Sequence, residues 1–235
     1  MVGVNSWIKR LTQIPNDDWR PVALWALKQH KDDATFLKTF LMKLERLAAS
    51  MLVRRIYATP RTQRYMALLK QLSAGHGLES TEFELTTEEQ RETVELLHGE
   101  LYLSKPTCKY VLMRLDSILA DDPGAAYDYK TITVEHVLPQ NPEPNSQWYA
   151  DFDKDQIAYW THRLGNLLLL NRRKNSQARN YEFQEKKERY FKSGHGVTIF
   201  ALTTQVLNET QWTPEVIQRR HEKLIKILQE AWNLT

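Results

Sequence analysis

The spacing of apolar residues changes part-way along this chain, and that change limits the possible fold more than any other feature. Through the first 120 residues, apolar side chains recur every three or four positions, which is typical of amphipathic helices. After Pro123 and Gly124, residues 127–134 alternate and are rich in Tyr, Thr, Ile and Val, which favours a β-strand. Residues 167–170 are consecutive leucines and predict a second, buried strand. The pattern therefore predicts a predominantly helical α+β protein.

The same pattern predicts three segments along the chain. Residues 1–126 are expected to form a helical scaffold, in which Asp33 is placed to cap a long helix. Residues 127–193 carry the two predicted strands, followed by a helix over residues 176–191. Residues 194–235 are expected to form a C-terminal helical segment that packs back on the scaffold. Since the scaffold has no obvious catalytic pattern, we expect chemistry in the middle segment.

Composition excludes several classes of protein. No stretch approaches the roughly 18 consecutive apolar residues that a membrane helix needs. The first residues lack a basic region that leads into an apolar one, so a signal peptide is not expected. Cys108 is the single cysteine, which excludes an internal disulfide and a zinc site made of several cysteines. We therefore expect a cytoplasmic protein that does not act at a membrane.

Positive charge is concentrated in one part of the chain, although the formal net charge is only +3. From Arg163 to Lys192, nine basic residues stand against three acidic ones. A local basic surface attracts phosphate backbones whatever the global charge. The alternative is a solvated helix face, because Glu185 and Arg189 have the i,i+4 spacing of an exposed ion pair. Charge alone leaves both interpretations open.

A carboxylate, an imidazole and two amides follow one another in an order that suits phosphodiester hydrolysis. Glu135 and His136 come at the end of the first predicted strand, Asn166 directly precedes the second, and Asn175 follows nine residues later. Hydrolysis needs a group that takes a proton from water, and the unperturbed pKa of an imidazole such as His136 lies near neutrality. Asn166 can hold that imidazole in one tautomer and orientation. Glu135 and Asn175 offer hard oxygen ligands, which suit Mg²⁺ or Mn²⁺.

Each of these residues also has an ordinary structural interpretation. A lone histidine such as His136 is more often a hydrogen-bonded structural residue, and Glu135 alone would be an unremarkable surface carboxylate. Asn166 follows a glycine and could occupy a turn with positive φ. Asn175 could cap the helix predicted after it. The agreement of order, spacing and predicted secondary structure favours a nuclease site over four separate structural roles.

The middle segment resembles the HNH, or ββα-metal, nuclease motif in a form with Asn as its last residue. More closely, the runs VEHVLPQ, HRLGNL and NS followed by NYEFQEKK resemble the C-terminal nuclease domain of GmrSD-type restriction proteins, with relatives in phosphorothioate-linked anti-phage defence. The resemblance covers about residues 127–193. It implies an embedded ββα-metal core in which Glu135 and Asn175 are metal ligands, His136 is the general base and Asn166 orients it.

The resemblance also implies an activity and its partners. It implies a metal-dependent DNA endonuclease that restricts modified or foreign DNA, with one metal and hence one cut strand per site. Relatives carry an N-terminal nucleotide-hydrolysing, modification-sensing domain, which would be a partner domain or subunit here. Paired cysteines for a structural zinc are replaced by Asn171 and Lys174, so packing of helices must hold the core. The basic residues expected to contact the DNA backbone are Arg163, Arg172, Arg173, Lys174, Arg179 and Lys187.

Two other functions remain open from the sequence. The first is a non-catalytic DNA-binding or regulatory module that has kept a nuclease fold. The second is an RNA-directed nuclease, because DNA and RNA present the same phosphate groups to a basic surface.

Overall fold

The computed structural model describes residues 2–120, 132–171, 180–188 and 200–235. They form two compact units. The first unit comprises Met1–Leu96 and Trp232–Thr235, and the second comprises Leu97–Ala231. In the described ranges, every helix is too short or too polar to cross a membrane.

The first unit is helical. Its elements are α1 (Val2–Leu11), α2 (Arg20–Gln29), α3 (Ala34–Val53), α4 (Ala58–Ser73) and most of α5 (Thr87–His98). Helix α3 begins where the Asp33 carboxylate accepts a hydrogen bond from the Phe36 N–H at 2.8 Å, so the predicted cap is confirmed. The α3 residues Phe40, Leu41 and Leu44 are fully buried, and α3 packs against α1 and α2. Burial of each such side chain stabilises the unit by ~1.5–3 kcal/mol.

The second unit combines helices with a two-stranded sheet, which confirms the mainly helical α+β class. Its elements are α6 (Lys105–Leu119), β1 (Ile132–His136), α7 (Gln147–Asp151), α8 (Lys154–Trp160), β2 (Leu167–Asn171), α9 (Phe183–Lys186), α10 (Ala201–Leu207) and α11 (Pro214–Trp232). The strands are antiparallel, with Ile132 opposite Asn171 and His136 opposite Leu167. The predicted second strand is therefore confirmed. Of the first predicted strand, residues 127–131 lie outside the described ranges.

The core of the second unit lies against the leucines of β2. Leu168 and Leu170 pack in one cluster with Trp148 and Phe152 of the segment between the strands and with Ile217 of α11. Trp148, Phe152 and Trp160 of that segment therefore belong to the core, whereas Tyr149 and Tyr159 are exposed. This packing holds the two strand ends that carry the candidate site.

The structure places the division between the units earlier than the predicted boundary at residue 126, which itself lies outside the described residues. Helix α6 contacts both β1 and β2 and belongs to the second unit. Most of α11 belongs there too, with Val216 and Ile217 in the same core as the sheet. Apolar periodicity identifies each of these helices as amphipathic but does not reveal which surface the apolar stripe covers.

In the described part of the chain, the helix predicted over residues 176–191 does not include residues 180–182. Residues 180–182 are not helical, and α9 begins only at Phe183. Two of these residues instead form hydrogen bonds with α7. The Tyr181 carbonyl accepts a hydrogen bond from Trp148 Nε1 at 3.1 Å, and the Glu182 carboxylate accepts one from the Gln147 N–H at 3.1 Å. Asn175 itself lies outside the described residues.

Candidate active site

His136 is the last residue of β1, as the sequence predicts. Only 5% of its surface is exposed. Burial, with smaller effects of the neighbouring His162 and Lys186, lowers the pKa of the imidazole to about 3. The ring is therefore neutral near pH 7, as a proton acceptor must be, but its basicity is well below that of free imidazole.

The two nitrogens of the His136 ring have different surroundings. Nδ1 lies 3.4 Å from Nε2 of the exposed Gln140 side chain. Nε2 is buried, and no hydrogen-bond partner lies within its reach in the described part of the chain. The Tyr102 ring meets the imidazole edge-on, with 4.1 Å between ring centroids, and His162 lies 5.5 Å away. The imidazole thus packs against two aromatic rings, with Nδ1 toward the Gln140 side chain.

Asn166 holds the loop after His136 rather than the imidazole. Its Nδ2 donates to the carbonyls of Leu138 at 2.9 Å and Thr161 at 3.1 Å. Its Oδ1 accepts from the Leu138 N–H at 2.7 Å and from Trp212 Nε1 at 3.2 Å. An amide has two hydrogens and two lone pairs, so these four bonds use its full capacity. The prediction that Asn166 hydrogen-bonds the ring therefore has to be corrected, although Asn166 still fixes the backbone beside it.

Helix α11 clamps the turn that carries Asn166. Arg220 Nη1 donates to the carbonyls of Gly165 at 2.6 Å and Leu167 at 2.9 Å, and the Gly165 N–H donates to His221 Nδ1 at 3.1 Å. A Cβ atom on Gly165 would lie 2.6 Å from the Ile217 carbonyl oxygen, so only glycine allows this close approach. Sequence reasoning missed Arg220 and His221, because they are more than fifty residues away and look like part of an ordinary amphipathic helix.

The buried His221 makes stability depend on pH. Burial, with smaller effects of His98, Arg163 and Arg220, lowers its pKa to about 4, against 6.5 for the unfolded chain. The unfolded state takes up the proton first, so the stabilisation is complete above pH 6.5 and is lost as the pH falls toward 4. Between pH 7 and pH 4, we expect the free energy of unfolding of the wild type to fall by about 3 kcal/mol more than that of His221→Gln.

Urea denaturation at a series of pH values measures this difference. His76→Gln, which changes an exposed histidine of the first unit, is the matched control and should follow the wild type. Parallel pH curves for the wild type and His221→Gln would contradict the prediction.

Glu135 is paired with a lysine in the interior. Lys186 of α9 is fully buried, and its Nζ lies 3.3 Å from Glu135 Oε1 and 2.7 Å from the His136 carbonyl oxygen. Burial raises the pKa of Glu135 while the Lys186 charge opposes that rise. Burial likewise lowers the pKa of Lys186 against the opposing effect of Glu135. The pair joins α9 to the end of β1, and sequence reasoning had counted Lys186 only as one more surface charge.

Comparison with known protein families identifies the domain that carries this site. Residues 86–227 match the family described as GmrSD restriction endonucleases, C-terminal domain. The chain belongs to this family. A search of curated proteins finds no match.

The family match extends well beyond the motif-bearing residues 127–193. It begins at Thr86, before α5, and ends within α11. It therefore includes α6, which packs on the sheet, and the α11 residues Arg220 and His221, which hold the turn at Asn166. The helices on both sides of the motif are part of the GmrSD-type domain, as the compact second unit also indicates.

Two of the basic residues predicted to contact DNA are described, and both are held by protein groups. The Arg163 guanidinium lies 3.9 Å from the Tyr159 ring centroid, and its Nη1 donates to the His98 carbonyl at 2.6 Å. Lys187 Nζ donates to the Glu209 carbonyl at 2.5 Å. Both side chains are partly exposed, so they still add positive charge to the surface. The remaining predicted contacts, at Arg172, Arg173, Lys174 and Arg179, lie outside the described residues.

The predicted metal ligands, Glu135 and Asn175, would offer oxygen atoms, which suit a hard cation better than zinc. Glu135 is the described carboxylate of the predicted metal site, and Asn175 would add an amide oxygen from outside the described ranges. Within those ranges, no group of three or more His, Cys, Asp or Glu side chains could hold a metal ion. Magnesium commonly takes one or two protein carboxylates and keeps several waters. The Lys186 ammonium beside Glu135 would weaken the attraction of that carboxylate for the cation.

Proposed function

We propose that this protein is a divalent-metal-dependent DNA endonuclease that nicks one strand per active site and restricts modified or foreign DNA in the cytoplasm. The observation that carries the proposal is the position of His136. In a domain of the GmrSD restriction endonuclease family, a neutral imidazole lies at the end of β1 beside an exposed glutamine. A neutral imidazole at such a position can accept a proton from an attacking water.

The residues of the site have separate roles in this proposal. His136 takes the proton of the attacking water. The negative phosphate of bound DNA would favour the imidazolium and so raise the low pKa that burial gives this ring. Asn166 keeps the loop after His136 in place through its bonds to Leu138. The basic residues of the surface hold the DNA backbone without reading its sequence.

Glu135 and Asn175 would hold the cation, which is proposed to be Mg²⁺, with Mn²⁺ as a substitute. When bound, such a cation stabilises negative charge on the phosphate and the leaving oxygen. An active site that holds one cation cuts one strand, and this is why nicking is proposed. The N-terminal partner, a nucleotide-hydrolysing and modification-sensing domain or subunit, is proposed to select the DNA.

A plasmid assay tests the proposed function. Purified protein with supercoiled plasmid and Mg²⁺ or Mn²⁺ is expected to produce relaxed circles first, and EDTA is expected to stop the reaction. Labelled RNA and DNA of the same sequence, digested side by side, decide the substrate. Preference for RNA would overturn the substrate assignment, and cleavage that persists in EDTA would overturn the role of the metal.

A non-catalytic DNA-binding module on the same fold is the second candidate. It is favoured by the buried pair of Glu135 with Lys186 and by the low basicity of His136. DNA binding without cleavage under any divalent cation would support this candidate over the nuclease.

A further inference from the structure

We propose that Gln140 and Tyr102 position the His136 imidazole and keep its Nδ1 atom unprotonated for the attacking water. This inference rests on the proposed function of His136 as the general base, and it specifies which ring nitrogen reacts. The sequence pattern predicts this orienting role for Asn166, and the inference assigns it to Gln140 and Tyr102 instead. The Asn166 amide is hydrogen-bonded to the backbone of Leu138 and Thr161 and to Trp212.

Gln140 determines which nitrogen of the ring carries the proton. Its amide nitrogen lies 3.4 Å from His136 Nδ1. An amide NH₂ group can only donate, so this contact fits the tautomer in which Nδ1 accepts and the proton of the neutral ring lies on Nε2. The 3.4 Å separation is long for a hydrogen bond. A water molecule can therefore replace the Gln140 amide at Nδ1 at small energetic cost.

Tyr102 fixes both the ring and the amide. It lies in the short turn Leu101–Leu103 before α6, and its ring contacts the imidazole at a centroid distance of 4.1 Å with an interplanar angle of 67°. The Tyr102 ring also stacks parallel to His162 at 5.5 Å, and its N–H donates to the His162 carbonyl at 3.1 Å. Burial raises the pKa of the Tyr102 hydroxyl, and the nearby Gln140 side chain opposes that rise. Tyr102 thus contacts the imidazole and lies beside the side chain that faces it.

Exposure distinguishes the two ring nitrogens as proton acceptors. Nε2 is buried, whereas Nδ1 lies next to the exposed Gln140 side chain, so Nδ1 is the nitrogen assigned to the attacking water. In the reaction, the O–H bond of the water breaks and its proton bonds to Nδ1, which forms the imidazolium. The oxygen electron pair forms the new bond to phosphorus as the bond from phosphorus to the leaving oxygen breaks. The leaving oxygen takes a proton from solvent water.

NMR of the imidazole nitrogens tests this inference without any measurement of cleavage. In protein labelled with ¹⁵N-histidine at pH 7.5, with His136→Asn used for assignment, the wild type is expected to show the Nε2–H tautomer. Gln140→Glu replaces the donor with a carboxylate that only accepts, so the proton is expected to move to Nδ1. Gln147→Glu, at an exposed position of α7, is the matched control and should leave the tautomer unchanged.

Kinetics supply a second measurement. In Gln140→Glu and Tyr102→Phe we expect kcat to fall by ~10–100-fold, the usual effect of removing a residue that orients a reactive histidine, with KM nearly unchanged. Restoring the donor with Gln140→Asn should recover part of kcat. Equal losses in kcat and in the folded fraction would indicate a merely structural role and would overturn the inference.

The outcomes separate this inference from the proposed function. A wild-type Nδ1–H tautomer, or a tautomer that Gln140→Glu does not change, overturns the positioning role even if the protein cuts DNA. A wild type that shows the expected tautomer but does not cut DNA leaves the positioning of the ring supported and overturns the nuclease.

Discussion

Replacing His136 with alanine is expected to reduce the rate of DNA cleavage by ~10²–10⁴-fold, the range typical for loss of a general base. The ring lies at the end of β1 with one nitrogen toward an exposed side chain, and the variant has no other imidazole at that position. Affinity for DNA should change little, because the buried imidazole is neutral and makes no contribution to backbone attraction. Plasmid nicking and fluorescence anisotropy with labelled duplex measure the two quantities.

Two controls make this result specific to the reaction. His136→Asn fills more of the space that the imidazole leaves, so it separates loss of the base from loss of packing. His76→Ala removes an exposed histidine of the first unit and should cut at the wild-type rate. Circular dichroism of each variant reports whether it is folded. If a folded His136→Ala protein nicks plasmid as fast as the wild type, His136 is not the general base.

Features of the fold that depend on neighbouring residues were predictable from the sequence. The capping of α3 by Asp33 needs only residues three positions apart. The all-leucine strand β2 and the position of His136 at a strand end follow from local composition. The absence of helix at residues 180–182 was not predictable, because Tyr181 and Glu182 bond to α7, more than thirty residues earlier in the chain.

The site shows the same division between local and distant contacts. The pattern identified the candidate residues His136 and Asn166. It could not show that the Asn166 amide would hydrogen-bond to backbone groups and to Trp212. Gln140 was part of the recognised run, yet its proximity to Nδ1 depends on the turn after β1. Lys186 stands in a run of charged residues, which ordinarily indicates a solvated helix face. Its burial follows from how α9 packs on β1.

That burial leads to a large expected effect on stability. Lys186→Met is expected to lower the free energy of unfolding by about 3–5 kcal/mol, the usual cost of removing one partner from a buried ion pair. The substitution leaves the Glu135 carboxylate without its 3.3 Å partner and the His136 carbonyl without its 2.7 Å donor. Urea denaturation followed by circular dichroism measures the change. The neighbouring Lys187→Met is the matched control, because Lys187 is partly exposed, and it should cost less than about 1 kcal/mol.

The double substitution Glu135→Gln with Lys186→Met distinguishes an unpaired charge from lost packing. If the cost of Lys186→Met comes mainly from the carboxylate left behind, a neutral amide at position 135 should recover about half of it, since an amide is far less costly to bury than a carboxylate. If the double variant is as unstable as the sum of the two single variants, the residues act independently, and the pair does not join α9 to the end of β1. Because Glu135 is also a proposed metal ligand, the same variants should be titrated with Mn²⁺. Lys186→Met, which removes the competing positive charge beside Glu135, is expected to bind the cation more tightly than the wild type, and weaker binding would contradict the assignment of Glu135 as a ligand.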